Sequence, residues 1–297
     1  MSKHSFKSWL LATRPWSFPA STMPVLVTLA YLHWMGVSVN WPMGLWAIAN
    51  IIVFHAAGNT LSDYFDYIKG VDSDETIGGI SLTSGEFQPK EIRTLSLALL
   101  VFASVSGFAI VTTTGLPTLY IGASGFLLTV LYPWLKYHAL GDVDIFLTYS
   151  LLPILGTSYV ATGNFHLQAL WLSVPIGLIT VGILHANNAR DIEHDRRANI
   201  KTFAMLIGEK ASATVYCAEV IIPFIWIIGG CATGIFPWWA LLVLPALKPA
   251  IDNARKAMRF PKEGAEQLWG VDEMTAKLQL MFSLLLTLSL FIATYAQ

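Results

Sequence analysis

The stretch "ALWLSVPIGLITVGILHANNARDIEHDRR", residues 169–197, changes character halfway. Up to Ala186 it is almost wholly apolar. Begun two residues earlier, the run has the length of about 20 residues that crosses the hydrocarbon of a bilayer. From Asn187 onward it is crowded with charge. If the helix continues past the membrane boundary, Asn187, Asp191 and Asp195 fall at i, i+4 and i+8 and share one face. A membrane helix that ends in a carboxylate face calls for an explanation, and the rest of the sequence supplies one.

Of the 297 residues, 55% are hydrophobic and only 12% are charged, with a mean hydropathy of +0.57. Soluble domains carry about 25% charged residues. The expected fold class is therefore all-α, a single integral-membrane domain over residues 1–297. Nine apolar runs near spanning length read as transmembrane helices: 17–35, 43–62, 94–114, 117–135, 143–162, 167–187, 211–230, 235–250 and 276–295. The eighth is short and contains proline. All 18 Lys and Arg fall in the N-terminal tail or at the connections after the second, fourth, sixth and eighth spans. By the positive-inside rule the N-terminus is expected in the cytoplasm and the C-terminus outside. The net charge of −1 gives no ground for a nucleic-acid partner, and none is expected. Cys217 and Cys231 fall within or at the edge of the seventh span, 14 residues apart. That is about 21 Å along a helix, too far for a disulfide. The first apolar run ends in "YLHWMG", a poor cleavage site, so it reads as an uncleaved span.

Nearly all polar chemistry lies in three connections on the predicted cytoplasmic side, 63–93, 188–210 and 250–275. The first opens with "NTLSDYFDYIKGVDSDE", residues 59–75. With the second span helical to about Tyr67, Asn59, Asp63 and Asp66 stand at i, i+4 and i+7, again on one face. Asp72 and Asp74 belong to the loop beyond. "NTLSD" and "NNARD", and likewise "PWLK" and "PALK", suggest two similar four-helix halves. Two carboxylate faces thus meet one membrane boundary. Solvated helix ends also carry charge, but two features argue for more. A carboxylate at the centre of a span costs about 2.5–3.5 kcal/mol. Asp at a helix C-terminus also opposes the macrodipole. A divalent cation offsets both. Carboxylate and amide oxygens suit Mg²⁺, which binds through one or two carboxylates together with substrate phosphates. Asn59, Asp63, Asp66, Asp191 and Asp195 are the expected metal ligands, and the implied substrate is a diphosphate. Lys69, Lys136, Arg190, Arg196, Arg197 and Lys201 supply cations on the same side, and Arg14 abuts the first span. Single basic residues there also follow from the positive-inside rule alone. His55 and His185 read as packed or hydrogen-bonded residues. No phosphate-binding loop, dinucleotide fingerprint, HExxH, nucleophile elbow or CxxC occurs.

These motifs resemble the UbiA superfamily of intramembrane prenyltransferases. The resemblance rests on "RPWSFPASTMPVLV", "NTLSDYFDYIKGVDSDE", "LYPWLKYHALGD" and "NNARDIEHDRRANIKTFAMLIGEKAS", in the family's order across residues 12–215. Within the superfamily the wording is most similar to the 1,4-dihydroxy-2-naphthoate prenyltransferases of menaquinone synthesis. The resemblance implies nine helices around a central cavity capped on the cytoplasmic side. Asp63, Asp66, Asp191 and Asp195 would be catalytic, holding Mg²⁺ and the donor. Asn59, Arg14, Lys69, Tyr132, Lys136, Asn187, Arg190 and Lys201 would bind substrate. The partners implied are a polyprenyl diphosphate, an aromatic acceptor and membrane lipid, and the implied location is a bacterial inner membrane. Ser62 departs from the family, where many relatives have a second Asn. The rivals are a UbiA-type enzyme with another acceptor, an ion-coupled secondary transporter and an alcohol phosphotransferase. Transporter sites lie near the membrane midplane, whereas these acids lie at its rim.

Overall fold

Asn40 starts the helix that carries the first acidic motif, its side chain accepting from the Met43 amide, and Gly70, left-handed at φ 72°, stops it. The 29 residues between run about 44 Å, well beyond the hydrocarbon thickness of about 30 Å. The last turns therefore emerge at the boundary with Asp63 and Asp66 aboard. The computed structural model describes residues 4–72 and 80–296; Asp74, read as a loop residue, lies outside them.

In chain order the α-helices of six residues or more are α1 (Phe6–Ala12), α2 (Pro19–Trp34), α3 (Trp41–Lys69), α4 (Pro89–Thr114), α5 (Leu116–Lys136), α6 (Gly141–Thr162), α7 (Ser173–Arg190), α8 (Ile192–Arg197), α9 (Phe203–Ala232), α10 (Leu247–Glu263) and α11 (Val271–Tyr295). Among the described residues no strand forms, and one isolated bridge joins His138 to Lys201.

Seven helices among the described residues are long and apolar enough to cross a membrane. The two other predicted spans differ for physical reasons. The first forms α2, only 16 residues long, yet its interior face is shielded by protein, with Val25, Val27, Leu29, Ala30 and Leu32 fully buried. The run predicted at 235–250 forms a 3₁₀ segment, Trp238–Ala246, that turns into α10. Helix α10 is amphipathic: Ala250, Asn253, Ala257 and Phe260 face inward, and Lys248 and Arg255 face out.

The core lies where α2, α7, α9 and α11 pack, around Tyr31, Ile176, Ile179, Tyr216, Phe224, Phe282 and Leu286. Helices α4 and α5 flank α3 and present Leu97, Val101, Phe102, Val105, Leu127 and Trp134 outward, the apolar exterior that a bilayer requires. Gly230 admits the ring of Phe236, which also meets Tyr31 edge-on. A Cβ at 230 would overlap that ring. Gly230→Ala is expected to destabilise the fold by about 1–3 kcal/mol, read as a lower melting temperature in detergent.

Candidate active site

The first acidic face forms as the spacing predicts. Asp63 and Asp66 are 4% and 5% exposed. Burial of two carboxylates one turn apart demands cations, and two come from other elements. Arg14 reaches Asp63 Oδ1 from the N-terminal arm at 3.3 Å. Lys136, at the end of α5, donates to Asp66 Oδ2 at 2.9 Å. Asp66 is held twice more: Tyr137 Oη donates to Oδ1 at 2.7 Å and Ser62 Oγ to Oδ2 at 3.2 Å. Ser62 thus has a definite task, steadying a carboxylate one turn ahead. Tyr132, one turn before Lys136, is close enough to interact electrostatically with Lys136 and Asp66.

Arg14 sits in the left-handed region, φ 57°, ψ 57°, a conformation that costs a non-glycine residue of order 1 kcal/mol or more. Hydrogen bonds pin it there. Asn59 Nδ2 donates to the Thr13 carbonyl and to Ser17 Oγ, each at 2.9 Å. His55 takes Ser21 Oγ at 2.8 Å and Ser17 Oγ at 3.2 Å. Asn59, an expected metal ligand, therefore spends its amide nitrogen on the arm that carries Arg14. Only its oxygen is left for a cation.

The second face is built differently from the expected continuous helix. Helix α7 ends at Arg190, and Asp191 (φ −97°, ψ 12°) interrupts it before α8. The i→i−4 bonds survive the interruption, from Asp191 N to Asn187 O at 3.1 Å and from Asp195 N to Asp191 O at 2.8 Å. Arg190 grips Asp191 with two bonds, at 2.8 and 2.7 Å, and Asp272 at 3.0 Å. Asn187 lies between them, its oxygen 2.9 Å from Arg190 and its nitrogen 3.3 Å from Asp191 in the orientation that satisfies both.

The two faces meet at Lys136, whose charge interacts with Asp66 first and also with Asp195. Three connections close over this junction: His194 bonds the Val71 carbonyl at 2.7 Å, Lys201 N donates to Tyr137 O at 3.1 Å, and Val71, Tyr137 and Ile200 form a small apolar cluster. Lys201 thus contributes backbone to the closure while its side chain is exposed, and Lys69 is exposed with its ammonium 5.5 Å from the Tyr137 ring centroid.

Asp195 is 4% exposed and makes no ion pair or side-chain hydrogen bond with any described residue. Burial pushes its carboxyl up to about 7, with Lys136 pulling the other way and Asp191 and Asp66 adding to the rise. Asp72 is also pushed up to about 7, by burial and then by Asp66 and Asp63. A surplus of buried carboxylate, all-oxygen donors and an acid unpaired among the described residues fit a hard divalent cation.

Tyr137, Asp272 and His194 escaped sequence reading, whereas His55 is hydrogen-bonded as expected. Tyr137 had a signal in its adjacency to Lys136. Asp272 reads as an ordinary first-turn acid of α11, and only the packed fold shows it facing Arg190.

The UbiA prenyltransferase family profile matches residues 21–266. The Drosophila melanogaster UbiA prenyltransferase domain-containing protein 1 homolog is 33% identical, over 94% of this chain and 78% of its own length. The 1,4-dihydroxy-2-naphthoate octaprenyltransferase of Bacillus subtilis is 29% identical, over 81% and 79%. Among solved structures, a UbiA homolog from Archaeoglobus fulgidus superposes with a TM-score of 0.64 at 14% identity, covering 97% of this chain and 99% of that one. The same homolog bound to GPP and Mg²⁺ gives 0.61 at 14% identity, over 94% and 99%. With the family profile covering most of the sequence, this integral membrane protein belongs to the UbiA prenyltransferase family.

Proposed function

We propose that the protein transfers a polyprenyl group, Mg²⁺-dependently, from an allylic diphosphate to 1,4-dihydroxy-2-naphthoate with loss of CO₂, giving demethylmenaquinol. The observation that carries the reading is the junction of the two acidic faces at Lys136, with Asp195 buried beside it and unpaired among the described residues. Similarity to the Bacillus subtilis naphthoate enzyme supports the acceptor.

Asp63, Asp66, Asp191 and Asp195, with the Asn59 oxygen, would hold Mg²⁺. When bound, the ion neutralises charge on the leaving diphosphate. Arg14, Lys136 and Arg190 would contact the diphosphate oxygens, and their fixed charges would favour the state in which the allylic C–O bond is broken. Below the charged layer, His55 meets Tyr149 edge-on with centroids 4.8 Å apart, and Phe18 packs tilted against His55 at 5.5 Å. Such a wall excludes water from an allylic cation until the electron-rich ring attacks. Attack at the carboxylated carbon forms the C–C bond, and CO₂ leaves with restoration of the aromatic ring.

Membranes containing the protein, given polyprenyl diphosphates and candidate aromatic acids, should yield prenylated product and an equivalent of CO₂ only with the naphthoate. A prenylated product from a different acceptor, without CO₂, overturns the acceptor and leaves the family's chemistry standing.

The pH dependence of metal stabilisation follows from Asp72 and Asp195. Their folded values near 7 lie above the ordinary 3.8. Between those values the folded state retains protons that the unfolded chain releases. Stability of the metal-free protein therefore falls as pH rises from about 4 to about 7. A divalent ion relieves that penalty, so the rise in melting temperature on adding Mg²⁺ should be larger at pH 8 than at pH 5.5. Equal rises at the two pH values would place the ion away from these carboxylates.

The orientation belongs to the same reading, in a bacterial inner membrane with the N-terminus cytoplasmic. Reporters fused after residues 38, 115, 164 or 233 should report the outer side, and those after 75, 138, 200 or 262 the cytoplasm. Inversion at both the second and sixth connections would defeat the shared site.

A further inference from the structure

Apart from the acidic faces, three ionisable side chains converge from three helices inside the protein. They are Asp142 in the first turn of α6, His185 in α7 and Glu219 in α9. Their side chains are 11%, 0% and 7% exposed. One ligand atom from each lies within 4.8 Å of the other two. His185 Nδ1 is 2.8 Å from Asp142 Oδ2 and 3.7 Å from Glu219 Oε1.

Ordinary packing does not account for this arrangement. One imidazole nitrogen faces two carboxylates, and at most one proton can lie between them and it. The Glu219 side chain makes no hydrogen bond to any described residue, although it sits in a spanning helix and its Oε2 is fully buried. Asp142 Oδ1 is also buried without a partner among the described residues. An unsatisfied carboxylate in such surroundings costs several kcal/mol, and Glu219 is aimed into the cluster. No described Lys or Arg pairs with Asp142 or Glu219.

We propose that Asp142, His185 and Glu219 form a second cation site, which takes a Zn²⁺-class divalent ion and is distinct from the Mg²⁺ of the acidic faces. Three atoms each about 2.1 Å from a common centre at tetrahedral angles lie about 3.4 Å apart. The separations of 2.8 and 3.7 Å bracket that value. An imidazole nitrogen with two carboxylates suits a borderline d-block ion, whereas the all-oxygen faces suit Mg²⁺. With His185 neutral, a divalent ion also brings the buried cluster to zero net charge. The role that follows is structural. A Cβ on Gly141 would lie 3.3 Å from Lys136 Cα, so Asp142 directly follows a tight turn out of the active site. Fastening Asp142 to α7 and α9 fixes that turn, and through it Lys136.

The test is metal analysis of the purified full-length protein, prepared in Zn²⁺ and freed of loosely bound metal by gel filtration. The result expected is roughly one Zn²⁺ per chain, kept by a doubly substituted Asp63→Asn, Asp191→Asn protein. Glu219→Gln and His185→Gln should bind it at least about tenfold more weakly. If either of those fails to fold, X-ray absorption at the zinc edge of the unmodified protein decides: imidazole scattering is required, and an oxygen-only shell overturns the site. A protein that retains no zinc, or one that loses it with the acidic-face substitutions and keeps it in Glu219→Gln, overturns the proposal too. Neither result depends on which acceptor is prenylated, so the acceptor assay stands or falls separately.

Discussion

Asp63→Asn and Asp191→Asn should each lower prenyl transfer by about 10²–10³-fold or more, the loss typical when a fixed electrostatic contact to the reacting charge is removed. The two substitutions act from opposite sides of the site. Asp63 is 4% exposed and shares its charge with Arg14; Asp191 is held bidentately by Arg190 on a different helix. Neither change should unfold the protein. Arg14 keeps a side chain 40% exposed to solvent, and Arg190 keeps Asp272 at 3.0 Å. Loss of one carboxylate oxygen's charge also weakens the hold on Mg²⁺, so the ion concentration giving half-maximal rate should rise in both proteins. Turnover measured across an Mg²⁺ titration, alongside thermal unfolding, separates this outcome from misfolding. Near-normal turnover in either variant at limiting Mg²⁺ would remove that carboxylate from the metal site.

Both faces were legible because a helix converts spacing into direction: Asn59, Asp63 and Asp66 needed only a helix that outlasts the apolar run, and α3 supplies it. What periodicity cannot register is a one-residue interruption. Asp191 breaks the helix locally, yet Asp195 keeps its hydrogen bond to Asp191 and ends on the intended side. Pairings between distant elements were out of reach for a related reason. Asp272 and Arg190 are 82 residues apart, and nothing local in "GVDEM" points to a partner across the bundle. The short α2 and the bent run at 235–250 show the limit of hydropathy as a ruler. It measures how apolar a segment is, and cannot tell whether lipid or neighbouring helices will cover it.

Replacing Lys136 by Ala should cut the use of the prenyl donor far more than that of the aromatic acceptor, with about a 10²-fold loss in kcat/KM for the donor and little change in the KM of the acceptor. The lysine is held in place before any substrate arrives: its side chain is 13% exposed and its ammonium is 2.9 Å from Asp66. A cation fixed there gains most in the transition state, when charge moves onto the departing diphosphate. Lys248, its counterpart in the apparent repeat, is 85% exposed and paired with Asp252 one turn away. It should tolerate Ala without a change in donor use, because an exposed pair contributes little and a boundary lysine serves orientation. One complication has a direct control. Lys136→Ala also strips Asp66 of its cation, which could disturb the metal site rather than the donor. Tyr137 and Ser62 still hold Asp66 at 2.7 and 3.2 Å in that variant, so its position should survive. Lys136→Arg restores the charge and should recover much of the donor kcat/KM if charge beside the diphosphate is what matters. Equal losses for donor and acceptor, unrelieved by Arg, would reduce Lys136 to a counter-ion for Asp66.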